Sequence, residues 1–155
     1  LQLQILTAGR SGEARGARWS ELDLEGAVWV IPKERMKAKR EHRIPLPRQA
    51  VELLRKQPRI VGAELVFPSS RNTPLSDMAL PAVIRRLKRT EVPHGWRSTF
   101  RDWVGDCTDY PSELAEIALA HSVGSKVEQA YRRGDMLEKR RPLMQEWADF
   151  LTQTP

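Results

Sequence analysis

The sequence predicts an α+β domain that is mainly α: a helical bundle with a small three-stranded antiparallel sheet near its N-terminal side. Three observations lead there. Apolar residues recur at helical spacing through most of the chain after Arg48, as in Trp96, Phe100, Trp103 and Val104. β-Branched and aromatic residues concentrate in one short run, Val28-Trp29-Val30-Ile31, closed by Pro32. With 155 residues, 40% of them hydrophobic, the chain can build one domain around its own core.

Taken in order, Leu1 to Leu6 is apolar and reads as part of a helix. Ser11 is placed to cap a helix from Gly12 to Trp19, and Ser20 to Gly26 reads as a turn. The strand Val28–Ile31 is followed by a second short strand, Arg35–Lys39, that enters a basic turn. His42-Arg43-Ile44-Pro45-Leu46 alternates polar and apolar residues and forms the third strand, with Pro45 marking a sheet edge or a strand end. A helix covers Arg48 to Lys56 and stops before Pro58. Val66-Phe67-Pro68 is extended, Ser69 to Pro74 is a loop, and Ser76 caps a helix running through Leu80, Val83, Ile84 and Leu87. Further helices follow at Gly95–Asp106, from Pro111-Ser112-Glu113 through Leu119, at Ser125–Arg132, and at Asp135–Leu151. No repeat or low-complexity segment interrupts them.

Lys and Arg number 26 against 20 Asp and Glu, giving a net charge of +6. A basic domain suits a polyanionic partner, because phosphate contacts release counterions, although a solvated basic surface explains the charge equally well. The single cysteine, Cys107, can form no internal disulfide, which fits a reducing, cytoplasmic setting, and it reads as a buried structural residue. No Cys/His cluster of zinc type and no apolar run of membrane-spanning length is visible. The chain opens at Leu1 without an initiator methionine, so a fragment of a longer protein is expected.

Breaking a DNA phosphodiester without metal or water sets a minimum list of side chains. A tyrosine supplies a phenolic nucleophile that can leave again. Arginines meet the phosphate bidentately and stabilise the charge of the transition state. Histidine donates hydrogen bonds or moves a proton, and lysine protonates the departing 5′-oxygen. The sequence offers Arg10, Lys37, the pair in His94-Gly95-Trp96-Arg97, His121 in Leu119-Ala120-His121, and Tyr131.

That order, Arg, Lys, His-x-x-Arg, His, Tyr, is similar to the catalytic signature of the tyrosine recombinases, in particular the prophage integrases related to phage P4. The surrounding residues resemble the family too: Gly12-Glu13, Arg18-Trp19-Ser20-Glu21-Leu22-Asp23, Lys126-Val127-Glu128-Gln129-Ala130-Tyr131-Arg132-Arg133, and Glu138-Lys139-Arg140-Arg141-Pro142-Leu143-Met144. The resemblance covers essentially the whole chain and implies the recombinase catalytic-domain fold. It makes Arg10 and Arg97 the clamp on the scissile phosphate and Lys37 the general acid. Lys37 is preferred to Lys39 because family members place the lysine eight residues before the Pro-Leu of the next strand. His94 would contact the phosphate and assist proton transfer, and His121 would hydrogen-bond a non-bridging oxygen. Glu13 would orient the site from behind, and Tyr131 would form a 3′-phosphotyrosyl link. No cofactor is implied, since the ester stores the bond energy.

The same resemblance implies core-binding and arm-binding domains preceding residues 1–155, and a homotetramer acting on double-stranded attachment sites. It also implies an excisionase or a host DNA-bending protein as partner, and a bacterial nucleoid-associated location. The last helix, Asp135–Leu151, is the candidate for exchange between protomers or for folding back in cis. The family commonly has Leu-Gly-His where this chain has Leu119-Ala120-His121, and Phe where it has Trp96. Both replacements are expected to have little effect.

Blander readings stand beside these. Without the motif order, Tyr131 is an ordinary surface tyrosine, and Tyr110 lacks any matching context. A lone His94 or His121 reads as a helix-start or core histidine, and His42 as structural or DNA-facing. Lys39, Arg40 and Arg43 are either phosphate contacts or a solvated turn, as are Arg85, Arg86, Lys88 and Arg89 on their helix. The five tryptophans read as core or interface residues. A type IB topoisomerase, a non-catalytic DNA-binding remnant of a decayed prophage and a protein-interaction module are the rival functions.

Overall fold

β-Branched and aromatic residues pair into strands where a tight reversal brings two runs together. The computed structural model describes residues 1–123 and 134–153. Val28–Ile31 (β2) is the central strand of an antiparallel sheet, flanked by Leu22–Asp23 (β1) and His42–Pro45 (β3). Trp29 faces Leu22 on one side and Ile44 on the other, and Ile31 pairs with His42. Pro45 closes the edge strand β3, where a residue without an N–H is tolerated.

Two strand expectations change. β1 lies inside the stretch read as a turn, because the reversal is compressed into Asp23–Gly26: the Asp23 carboxylate accepts the Gly26 N–H at 2.8 Å. A Cβ at Gly26 would fall 2.3 Å from Asp23 Oδ2, so any larger residue here would push the Asp23 carboxylate out of this hydrogen bond. Arg35–Lys39 forms successive turns instead of a strand, closed by bonds from Arg35 N–H to the Pro32 carbonyl and from Lys39 N–H to that of Met36. The cause is inward traffic. Met36 is buried in the core, and the Arg35 guanidinium turns in to the buried Glu21 carboxylate, Nη1 to Oε1 2.6 Å.

The helices follow as Gln2–Leu6 (α1), Ser11–Arg15 (α2), Arg48–Arg55 (α3), Ala79–Arg86 (α4), Gly95–Cys107 (α5), Ser112–Ala118 (α6) and Leu137–Thr152 (α7), with a 3₁₀ turn at Trp19–Glu21. α2 is shorter than expected and begins at Ser11, so Arg10 occupies the capping position and the Glu13 carboxylate accepts its backbone N–H at 2.8 Å. Ser76 does not cap α4. Met78 precedes that helix, and Ser76 contributes only its carbonyl, to the Ala79 N–H. Cys107 is exposed at the end of α5, not buried. Residues 16–18, expected as helix, leave it instead, and Arg18 bridges to Leu65. The short helix expected at Ser125–Arg132 lies outside the described residues.

Two apolar clusters organise the chain. Trp29, Ile31 and Ile44 of the sheet pack with Leu3 of α1 and Leu54 of α3. Phe100, Trp103, Leu119, Leu143 and Trp147 form the second cluster, where the Phe100 and Trp147 rings meet edge to face at 5.4 Å. α7 packs in cis and joins both: Ala148 belongs to the first, and Leu143, Met144 and Trp147 to the second. Trp147 Nε1 also donates to the Ile5 carbonyl at 2.9 Å. Among the described residues no helix is long and apolar enough to cross a membrane.

Candidate active site

Arg97, in the first turn of α5, is 4% exposed. Its Nη1 donates to the Ala8 carbonyl at 2.7 Å and its Nη2 to the Leu119 carbonyl at 2.6 Å. Both carbonyls lie where a helix ends on a left-handed alanine, Ala8 with φ +49° and Ala120 with φ +52°. After α1, Gly9 N–H reaches back to the Gln4 carbonyl, and after α6, His121 N–H reaches back to that of Glu116. The guanidinium therefore ties the ends of α1 and α6 to the start of α5. Burial, and next the nearby Arg10 charge, lower its pKa to about 10, which leaves it protonated at neutral pH.

His121 follows directly. Its Nε2 lies 3.2 Å from Arg97 Nη2, and its Nδ1 lies 2.6 Å from Glu116 Oε2. Arg10 is a quarter exposed and its Nη1 donates to Glu13 Oε1 at 2.9 Å. Glu13 is buried, and its carbonyl accepts Arg35 Nη2 at 2.7 Å. Arg35 in turn pairs with Glu21, which also accepts Trp29 Nε1 at 3.0 Å. A chain of hydrogen bonds thus runs from the sheet to the residue that holds Arg10.

The structure brings Arg10, Glu13, Arg97 and His121 into one electrostatically linked group. Lys37, Lys39 and Arg40 lie in the exposed turn between β2 and β3. Met36 and Ala38, on either side of Lys37, line the same cavity of about 320 Å³ as His121. Val123 and Gly134 line it too, and they bound the segment carrying Tyr131, which itself lies outside the described residues. His94 is exposed at the N-cap of α5, and its carbonyl accepts the Arg97 N–H.

Arg43, read as a phosphate contact, is committed to Asp135 through Nε at 2.8 Å and Nη2 at 2.7 Å. Asp135 also faces the fully buried Arg140, 3.2 Å from its Nη2. Burial raises the Asp135 pKa, but Arg43 and Arg140 outweigh it and hold the carboxyl below its usual range. His42 is buried with Nε2 3.1 Å from the Ala118 carbonyl, and burial, with the Arg140 charge, lowers its pKa to about 4. It is structural and does not face outward. Tyr110 donates its hydroxyl to Glu146 at 2.7 Å, and burial followed by that carboxylate raises its pKa to about 12, which makes it a poor nucleophile.

Sequence reasoning passed over Glu116, Glu21, Arg35, Asp135 and Arg140. The only available mark was spacing: Glu116 stands five residues before His121, the interval that a left-handed helix cap brings into register.

The fold is that of the tyrosine recombinase catalytic domain. XerA recombinase superimposes with a TM-score of 0.63 over 98% of this chain and 55% of that one, at 13% identity. A lambda integrase fragment, solved as a dimer bound to a core site, gives 0.57 over 86% of this chain and 50% of that one, at 23% identity. The sequence narrows the class: residues 1–138 match the Phage integrase family, and the chain belongs to that family.

Prophage integrase IntA of Escherichia coli K12 is 39% identical over 153 residues, which is 96% of this chain and 37% of IntA. Prophage integrase IntZ of the same strain is 40% identical, over 97% of this chain and 38% of IntZ. The integrase of Enterobacteria phage P4 is 35% identical, over 97% and 39% respectively. The chain therefore spans less than two fifths of the length of these relatives.

Proposed function

We propose that this chain is the catalytic part of a site-specific DNA recombinase that integrates or excises a prophage or genomic island. The observation that carries the reading is the Arg97 guanidinium, fixed between two helix ends with His121 and the Arg10–Glu13 pair beside it. Two arginines held this way present a preorganised positive site for a phosphate, which is what in-line displacement at phosphorus requires.

The Tyr131 oxygen attacks phosphorus and the bond to the 5′-oxygen breaks. Lys37 supplies the proton to that leaving oxygen, while His94 assists the proton transfer from the phenol and His121 donates to a non-bridging oxygen. A 3′-phosphotyrosyl link results, and attack by a 5′-hydroxyl from the same or a partner strand reverses it. Lys39 and Arg40 approach the backbone from the exposed turn, whereas Arg43 serves the fold through Asp135. Family likeness further supports core-binding and arm-binding domains ahead of this part, and a homotetramer on two duplexes. Lambda integrase has been solved as a tetramer bound to a Holliday junction. An excisionase or host DNA-bending protein and a bacterial nucleoid location complete the reading.

The test is covalent trapping by the full-length protein on nicked DNA carrying its attachment site, or on a pool of tRNA-gene segments. The nick lets the cut fragment diffuse away, so a protein–DNA adduct accumulates. The adduct is expected with the native protein and absent from Tyr131→Phe. Intact DNA binding with no adduct from the native protein would instead establish a non-catalytic remnant.

A further inference from the structure

The geometry points to Glu116 as a positioning residue: its carboxylate fixes which nitrogen of His121 carries the proton and so aims the other nitrogen at Arg97 and at the phosphate Arg97 would hold. The catalytic consequence rests on the recombinase reading of the site; the tautomer does not.

The argument starts with hydrogen-bond polarity. An ionised carboxylate only accepts, so the 2.6 Å contact between Glu116 Oε2 and His121 Nδ1 places the proton of the neutral ring on Nδ1. A guanidinium only donates, so the 3.2 Å contact from Arg97 Nη2 requires a lone pair on Nε2. Both neighbours demand the same tautomer. The opposite one would set a lone pair against the carboxylate and an N–H against the guanidinium.

The carboxylate is itself held. Arg101 Nε donates to its second oxygen, Oε1, at 2.5 Å, and Arg101 first, then His121, keep the group below the usual carboxylate range. The backbone enforces the same pairing, since the His121 N–H bonds the Glu116 carbonyl at 2.9 Å through the left-handed turn at Ala120. Other charged groups around the ring's cavity are Arg40, Glu41 and Asp135.

The chemical use follows. A non-bridging phosphate oxygen needs a donor, and Nε2 becomes one when the ring takes a second proton. A carboxylate on Nδ1 keeps Nε2 directed forward, as acidic partners of catalytic and metal-binding histidines do. Glu116 would act through His121 without touching the phosphate.

Two measurements test this. Ring ¹⁵N NMR of the chain, at a slightly alkaline pH where imidazole is neutral, is expected to show the Nδ1–H tautomer for His121. In Glu116→Gln the population should shift toward Nε2–H, because an amide can either accept or donate. In the full-length protein, adduct formation by Glu116→Gln on nicked DNA should slow by about 10–100-fold, the range typical of second-layer partners. Thermal melting of the variant checks its fold. In a His121→Asn background the same change should cost nothing further, an outcome a purely structural role would not produce. An Nε2–H tautomer in the native chain overturns the proposal. So does a native cleavage rate in Glu116→Gln when Tyr131→Phe abolishes the adduct, or a loss that multiplies in the double variant. If the native protein forms no adduct, it is the recombinase reading that fails, and the NMR result still decides the tautomer.

Discussion

Ala120 carries a conformation that L residues avoid, φ +52°, at a point where the family commonly uses glycine. A left-handed Cβ costs roughly 1–2 kcal/mol, and glycine returns part of that through its freer unfolded chain. Ala120→Gly should therefore stabilise the fold by about 0.5–1 kcal/mol, read as a higher urea midpoint at unchanged m-value. Judged by size alone, the replacement looked neutral; its effect lies in backbone geometry, which a residue list does not display. The residues proposed for the chemistry were more legible. Arg10, Arg97 and His121 stood out because phosphoryl transfer restricts side-chain type and the motif fixes their order, and the structure brings these three together. Glu116 and Glu21 had no such mark. Their work depends on a helix cap and on a turn that pulls Arg35 inward, and an acidic residue on a helix otherwise reads as surface.

Among the elements, α7 was read correctly from the spacing of Leu143, Met144 and Trp147, since a periodic apolar stripe that long has few alternatives. Strands were harder. β1 has only two residues, too few for any alternation, and Arg35–Lys39 looked extended because the pull of Glu21 on Arg35 is a tertiary effect. The packing of α7 gives a direct expectation. Leu143 is fully buried between α7 and the aromatic cluster, so Leu143→Ala should destabilise the protein by about 2–5 kcal/mol, measured by chemical denaturation. Detaching this helix without receiving a partner's copy would uncover both apolar clusters at once, so a lone chain holds it in cis, whereas a reciprocal exchange would keep the same contacts.

Across the whole molecule, the join between the sheet and the second cluster is sensitive to acid. His42 on β3 bonds the Ala118 carbonyl at the end of α6, and its pKa falls from 6.5 to about 4 on folding. The unfolded chain thus binds the proton more readily. The stability this neutral ring confers is complete above pH 6.5 and is lost as pH falls toward 4, by roughly 3 kcal/mol in all. His42→Gln keeps a donor for Ala118 and removes the titration. Its urea midpoint should vary less than that of the native protein across this range, a comparison that cancels the carboxylates common to both. The dual membership of α7 in the two clusters also has a consequence for biosynthesis. On the ribosome neither cluster can be completed before the helix that belongs to both has emerged, so folding of the sheet side and of the aromatic side waits on the same sixteen residues, Leu137–Thr152.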